Sequence, residues 1–269
     1  MSGGFLESTT VGFARVVGRA MISEETARRR GLLQSLDPRV RVLGVLSLVL
    51  AVTLSRKIVV VAALFVVALV IALFSRVSIA VLAKRVWLVA LAFTGVIALP
   101  AVFTTPGEAV TKLGALIITE QGLRTAALLI LRVETAVTLT TVLVLCTPWT
   151  HVLKALRAFR LPREAVAMLA MTHRYVFLLV ETAGQMFESR RSRTVGVLPP
   201  SEQRRMAART AGVLLSKSME LSSEVYLAMQ ARGFRGDVPV LSEFRMRSWD
   251  YLGLAAFLLA GTLAVWMGR

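Results

Sequence analysis

The chain has 269 residues, 56% of them hydrophobic, with a mean hydropathy of +0.69. It also carries 32 Lys+Arg against 16 Asp+Glu, a formal net charge of +16 and a pI near 11.5. The apolar excess excludes a single soluble domain, since soluble chains average about 45–50% apolar residues even with glycine counted. The charge excludes a purely apolar membrane plug and requires a large basic part somewhere in the chain. Cys146 is the only cysteine, and His151 and His173 are the only histidines. No intrachain disulfide and no His/Cys metal cluster is therefore expected, and no resident cofactor.

The first thirty residues hold Glu7, Arg15, Arg19, Glu24, Glu25 and Arg28 to Arg30, without the apolar core of a secretory signal peptide. Pro38 disfavours helix at Asp37 and suits a first helical position, so a helix starts here. Residues 42–54 and 58–74 are uncharged on either side of Arg56 and Lys57, and read as a hairpin of two short spans. A third span covers 86–103, after Lys84 and Arg85. The connector 104–121 has room for a short membrane-surface helix. The fourth span is 122–146, the last 251–267.

Basic residues flank these spans unevenly. Arg28 to Arg30, Arg39 and Arg41 precede the first span, and Arg76, Lys84 and Arg85 lie between the second and third. Residues 147–249 hold 16 Lys+Arg against 8 Asp+Glu. The positive-inside rule then places the N-terminus and this long segment in the cytoplasm and the C-terminus outside. Arg56 and Lys57 oppose that orientation, but a two-residue turn can snorkel to either headgroup layer. The expected organisation is a cytoplasmic segment 1–38, a four-span bundle 39–146, a cytoplasmic region 147–249 and a last transmembrane helix 250–269.

Within the long segment, residues 148–160 form a short amphipathic helix between Pro148 and Pro162. A second helix runs from Pro162 toward Arg193, with Leu161, Ala165, Met168, Thr172, Tyr175 and Leu179 on one face. A third starts near Ser201 and ends at Gly233. Both long helices finish alike. Ser189, Ser192, Arg193 and Thr194 recur 39 residues later as Ala228, Ala231, Arg232 and Gly233. A small residue lies one turn below each arginine, giving a flat patch with a guanidinium at its rim. Such a patch suits forked bonds to a carboxylate on a docked protein, and equally a basic surface against anionic lipid.

The order of these features resembles the transmembrane T component of energy-coupling factor transporters, the CbiQ type of cobalt uptake systems. The resemblance rests on Gly31-Leu-Leu-Gln-Ser-Leu-Asp-Pro-Arg-Val40, Lys84-Arg-Val-Trp87, Thr147-Pro-Trp149, Met171-Thr-His-Arg-Tyr175, Ser192-Arg-Thr-Val-Gly196 and Tyr226-Leu-Ala-Met-Gln-Ala-Arg-Gly-Phe234. It implies an all-α polytopic membrane protein of about five spans with long cytoplasmic amphipathic coupling helices, in the bacterial plasma membrane. It implies a subunit that joins two cytoplasmic ATPase subunits to a membrane-embedded substrate-binding subunit, without catalysing a reaction itself. Ala231-Arg232-Gly233 matches the family's ATPase-docking motif, and Ser192-Arg193-Thr194 matches with Ser for Ala and Thr for Gly. Ser189, Arg190, Arg191 and Ala228 stand beside these as supporting residues. The resemblance favours cobalt as cargo, with nickel or a vitamin as alternatives, and membrane lipid but no nucleic acid as a further partner.

Other residues carry weaker signals. Arg132 and Glu134 fall in a predicted span, about 200° apart around a helix, so they are poor partners for each other. They read either as contacts to coupling helices or a partner, or as the mark of a span that begins later and leaves Arg132 near the interface. Ser216-Lys217-Ser218 lacks the glycines of a phosphate-binding loop. Cys146, His151 and His173 lack metal-ligand spacing, and Met168, Met171 and Met186 read as packing residues. Glu220 and Glu224 read as a solvated face. Trp87, Trp149, Trp249 and Tyr251 lie where interfacial anchors lie. The rival readings are a basic membrane anchor for lipid or nucleic acid, and a membrane enzyme, for which no convergent acid, base or nucleophile stands near the spans.

Overall fold

The computed structural model describes Gly12 and residues 31–104, 109–113, 116–194, 199–234 and 248–269. The expectations placed on residues 1–30, on Gly196 and on 235–247 lie outside these. The helices are α1 Leu32–Ser35, α2 Pro38–Leu54, α3 Ile58–Phe74, α4 Ile79–Leu82, α5 Leu88–Thr104, α6 Glu120–Cys146, α7 Trp149–Ala158, α8 Arg163–Arg191, α9 Pro200–Ala231 and α10 Ser248–Gly268. A π-helical turn, Ala83–Trp87, joins α4 to α5. Of the described residues, 31–155 and 248–269 form one compact unit and 156–234 another.

The first unit is a helical bundle. The five predicted spans correspond to α2, α3, α5, α6 and α10. The connector departs from expectation. It holds strands β1 Ala109–Leu113 and β2 Leu116–Thr119, paired antiparallel with an irregularity between Ala109 and Thr111. No surface helix forms there because Val110, Thr111, Ile117, Ile118 and Thr119 are β-branched and favour an extended chain. The Thr119 hydroxyl then caps α6 by accepting from Gly122 N at 3.2 Å.

Among the described residues, three helices are long and apolar enough to cross a membrane, α6, α8 and α10, while α3 and the stretch Leu88–Pro100 are shorter apolar helices. That α8 meets this measure is unexpected, since its apolar stretch contains His173 and Arg174 and its sequence reads as a coupling helix. Around the bundle, α5 leaves Leu88, Val89, Phe93, Val96, Ile97 and Leu99 exposed, and α3 does the same with Val59, Val66, Leu73 and Phe74. Apolar faces of this extent are the signature of a lipid-facing bundle.

Packing inside the bundle centres on α6, which meets α2, α3 and α5, and on the pair α2–α10. Trp87, at the end of the π turn, donates from Nε1 to Thr138 Oγ1 of α6 at 2.9 Å and tilts against Phe65 of α3. The α2–α10 contact is made close by small residues, as expected where apolar burial alone cannot hold helices together in lipid. A methyl group added at Gly44 would lie 2.5 Å from the Phe257 ring. At one end of this pair Arg56 N donates to Gly268 O at 2.8 Å, and the Ser55 hydroxyl binds Ala51 O at 2.7 Å.

At the other end, four helices are tied by one short sequence. Asp37 caps α2 by accepting from Arg39 N at 2.9 Å, and its own N–H donates to Asp250 Oδ1 of α10 at 2.7 Å. Gln34 Nε2 donates to Ser75 O at the end of α3, at 3.0 Å. Arg41 reaches Cys146 O, the last residue of α6, at 3.0 Å.

Because Phe257 is held in the core against Gly44, Gly44→Val overpacks the α2–α10 contact and lowers stability by about 1–3 kcal/mol. Thermal unfolding of the detergent-solubilised protein measures this, and an unchanged midpoint would contradict the close packing.

Candidate coupling site

The two arginine-bearing helix ends are built by different local chemistry. At the end of α9, Arg232 is the cap residue and Gly233 follows at φ +76°. Gly233 N donates to Gln230 O at 2.9 Å and Phe234 N to Met229 O at 3.0 Å, a Schellman-type closure that glycine allows without strain. At the end of α8 the glycine is replaced by Thr194, and hydroxyls do the capping. Ser192 Oγ donates to Ser189 O at 2.9 Å and Thr194 Oγ1 to Arg190 O at 2.8 Å. Tight backbone bonds from Arg193 N to Arg190 O and Thr194 N to Arg191 O complete the stop. The serine and threonine that differ from the Ala-Arg-Gly pattern thus satisfy the last-turn carbonyls themselves.

Ser189, Arg190, Arg191, Ser192, Arg193, Ala228, Ala231, Arg232 and Gly233 are exposed, and Thr194 is half-buried. Thr182, Gln185, Met186, Ser189, Arg190, Arg193 and Thr194 line one open hollow of about 650 Å³. Arg190 therefore shares a face with Arg193, while Arg191 does not line it.

The pair α8–α9 is antiparallel. Glu164 to Leu179 of α8 face Ser218 to Phe234 across a groove of about 500 Å³, whose floor includes Met168, Met171, Tyr175, Leu221, Val225 and Met229. The buried side chains of the pair, Ala183 and Phe187 on α8 and Met206 and Thr210 on α9, lie toward the other end. The helices are thus closed at one end and splayed at the other. Arg193 stands at the closed end and Arg232 at the splayed end, about 45 Å apart by helix rise along α9.

Arg132 and Glu134 do not bond to each other. Arg132 Nη2 donates to Ser55 O, the cap carbonyl of α2, at 2.7 Å. This puts Arg132 at the level of the turn between α2 and α3. Glu134 is 7% exposed, and both carboxylate oxygens are buried without a hydrogen bond. Such a group costs more than an apolar side chain of similar size. His173 stands edge-on to Phe177 at 5.0 Å, within α8. His151 lies on α7. Burial, then the charges of Arg41 and Lys154, holds its imidazole below the usual 6.5, with Asp37 opposing.

The network around Arg41 and Asp37 was not identified from the sequence, where Arg39 and Arg41 served only to orient the chain. The signal available was an aspartate–proline start with an arginine one turn inside an otherwise apolar helix, next to a conspicuously polar turn.

Two outcomes follow from these environments. A histidine with a depressed folded pKa binds its proton more readily in the unfolded chain, so the stability present above pH 6.5 is lost as pH falls below it. The melting temperature in detergent therefore falls between about pH 7.5 and about pH 5.5, and the fall shrinks in His151→Gln. Glu134→Met removes the unbonded carboxylate and raises unfolding free energy by about 1–3 kcal/mol, read from denaturant titration. A loss of stability in that variant would show that the carboxyl has a stabilising partner.

Comparison with known proteins bears on this arrangement. The family described as CbiQ, cobalt transport protein, matches residues 30–241. An uncharacterised protein of Methanocaldococcus jannaschii is 28% identical over 251 residues, 91% of this chain and 86% of its own length. The cobalt transport protein CbiQ of Rhodobacter capsulatus is 30% identical over 176 residues, 64% of this chain and 72% of its own. The nickel permease LarQ of Lactiplantibacillus plantarum is 32% identical over 122 residues, 45% of this chain and 44% of its own. The matched region takes in α1 to α9, from the four-helix tie to both arginine ends, and the chain accordingly belongs to the CbiQ cobalt transport protein family, a multi-pass membrane family of transport components.

Proposed function

We propose that the chain is the T component of an energy-coupling factor importer for a divalent transition metal, cobalt by preference. In this reading the N-terminus and residues 147–249 are cytoplasmic, Arg193 and Arg232 dock in two ATPase subunits, and the bundle faces a membrane-embedded substrate-binding subunit. ATP hydrolysis belongs to the partners. Closure of the ATPases moves the two arginine ends, α8 and α9 tilt, and the substrate-binding subunit reorients. The free energy for that step comes from the difference in contacts between the two ATPase states.

The observation that carries this reading is the placement of two exposed arginines, each above a small residue, at opposite ends of one antiparallel helix pair. One rigid pair with a dock at either end suits two copies of a partner better than it suits a single ligand. A diffuse lipid-binding surface would need the charge but neither the spacing nor the flat footing. Nickel is the alternative cargo, in view of the similarity to a nickel permease.

The test is co-purification with the ATPase subunits together with metal uptake. Arg193→Glu, Arg232→Glu is expected to weaken ATPase binding by about two orders of magnitude or more and to abolish uptake. Normal assembly and uptake in that double variant would sink the coupling claim. Salt-sensitive binding to anionic vesicles without ATPase capture would favour the lipid-anchor reading.

A further inference from the structure

Arg41 gives all three nitrogens of its guanidinium to backbone carbonyls. It lies in the first turn of α2 and is 3% exposed. Its guanidinium donates from Nε to Leu36 O at 2.8 Å, from Nη1 to Cys146 O at 3.0 Å and from Nη2 to Gln34 O. Asp37 and Asp250 supply nearby negative charge, while the bonds themselves go to backbone carbonyls.

The identity of the acceptors gives the contact its meaning. Gln34 lies in the last turn of α1 and Leu36 caps it, at the turn that leads into α2. That turn already holds the end of α3, through Gln34 Nε2 to Ser75 O, and the start of α10, through Asp37 N to Asp250 Oδ1. Cys146 is the last residue of α6, and only Thr147 and Pro148 separate it from α7. The last carbonyls of a helix have no partner within the helix. Without an external donor, the end of α6 would fray where a pull from α7 first arrives.

We propose that Arg41 is the fixed joint of the coupling path. It is a positioning residue that binds the last carbonyl of α6 to the α1–α2 turn, so that displacement of α7 moves α6 together with α2, α3 and α10. This rests on the coupling function proposed above. Three donors on one rigid planar group reach three carbonyls on two elements, the end of α1 and the end of α6. The single ammonium of lysine keeps the charge but cannot span them.

The experiment uses the full chain reconstituted in proteoliposomes with its ATPase and substrate-binding subunits, and reads ATP hydrolysis and metal uptake together. Arg41→Lys is expected to assemble and hydrolyse ATP, with uptake per ATP reduced about tenfold. Thr53→Ala, which removes an exposed hydroxyl bonded only within α2 to Val49 O, is expected to keep the wild-type ratio. Unchanged uptake per ATP in Arg41→Lys, or a parallel loss of hydrolysis and uptake, overturns the joint and leaves the coupling reading standing. The Arg193, Arg232 double variant tests the coupling reading separately. Should Arg41→Lys fail to fold, hydrogen exchange in the wild-type complex decides. A fixed joint keeps the amides of 143–150 equally protected with and without ATP, and nucleotide-dependent fraying there overturns it.

Discussion

A helix that ends inside or beside a membrane leaves carbonyls that lipid cannot satisfy, and this constraint shapes one whole end of the bundle. The answer here is a five-residue turn with an arginine behind it. Asp37 closes the start of α2 and joins it to α10, Gln34 answers the end of α3, and Arg41 answers the turn itself and the end of α6. The bonds to Asp250, Ser75 and Cys146 each reach an element distant in sequence. The apolar packing above them in the bundle is adaptable, because one aliphatic contact in lipid differs little from another. Hydrogen bonds between ends allow one register only.

The rest of the bundle follows the same economy. Where α2 meets α10, close approach replaces bulk, with Gly44 under Phe257. Where α6 passes the opposite turn, Arg132 supplies the donor that the α2 cap carbonyl lacks. Trp87 uses its one N–H on Thr138. Glu134 differs, a buried carboxyl with neither oxygen hydrogen-bonded. The second unit obeys different rules. Its helix ends are closed by local capping, which leaves Arg193 and Arg232 exposed.

Much of this was legible in the residues. Prolines 38, 148, 162 and 200 mark where helices begin or break, because proline fixes φ and lacks a donor, and those marks hold to within a residue or two. Gly233 announces its left-handed stop. Uncharged runs of seventeen or more residues name most of the spans. Three features were not legible. Arg41 looks like any orienting charge, since its acceptors are backbone atoms that leave no trace in side-chain identity. Thr194 looks like a defect in an Ala-Arg-Gly pattern until its hydroxyl is seen on Arg190 O. The strands of the connector are short, and the stretch 109–119, apolar but for Thr111, Lys112 and Thr119, suits helix and hairpin alike until pairing decides.

The helices of the first hairpin have a consequence for the surrounding lipid. Both α2 and α3 are 17 residues long, whereas α6 has 27. Seventeen residues rise about 25 Å, less than the ~30 Å of a typical hydrocarbon core, while 27 rise about 40 Å. A bilayer beside α2 and α3 either thins to their length or is met by Arg56 and Lys57 snorkelling to its headgroups. Where it thins, a membrane partner with similarly short helices would find its lowest deformation cost on that side. Lipid thickness can thus act as a guide to assembly before any side chain touches another.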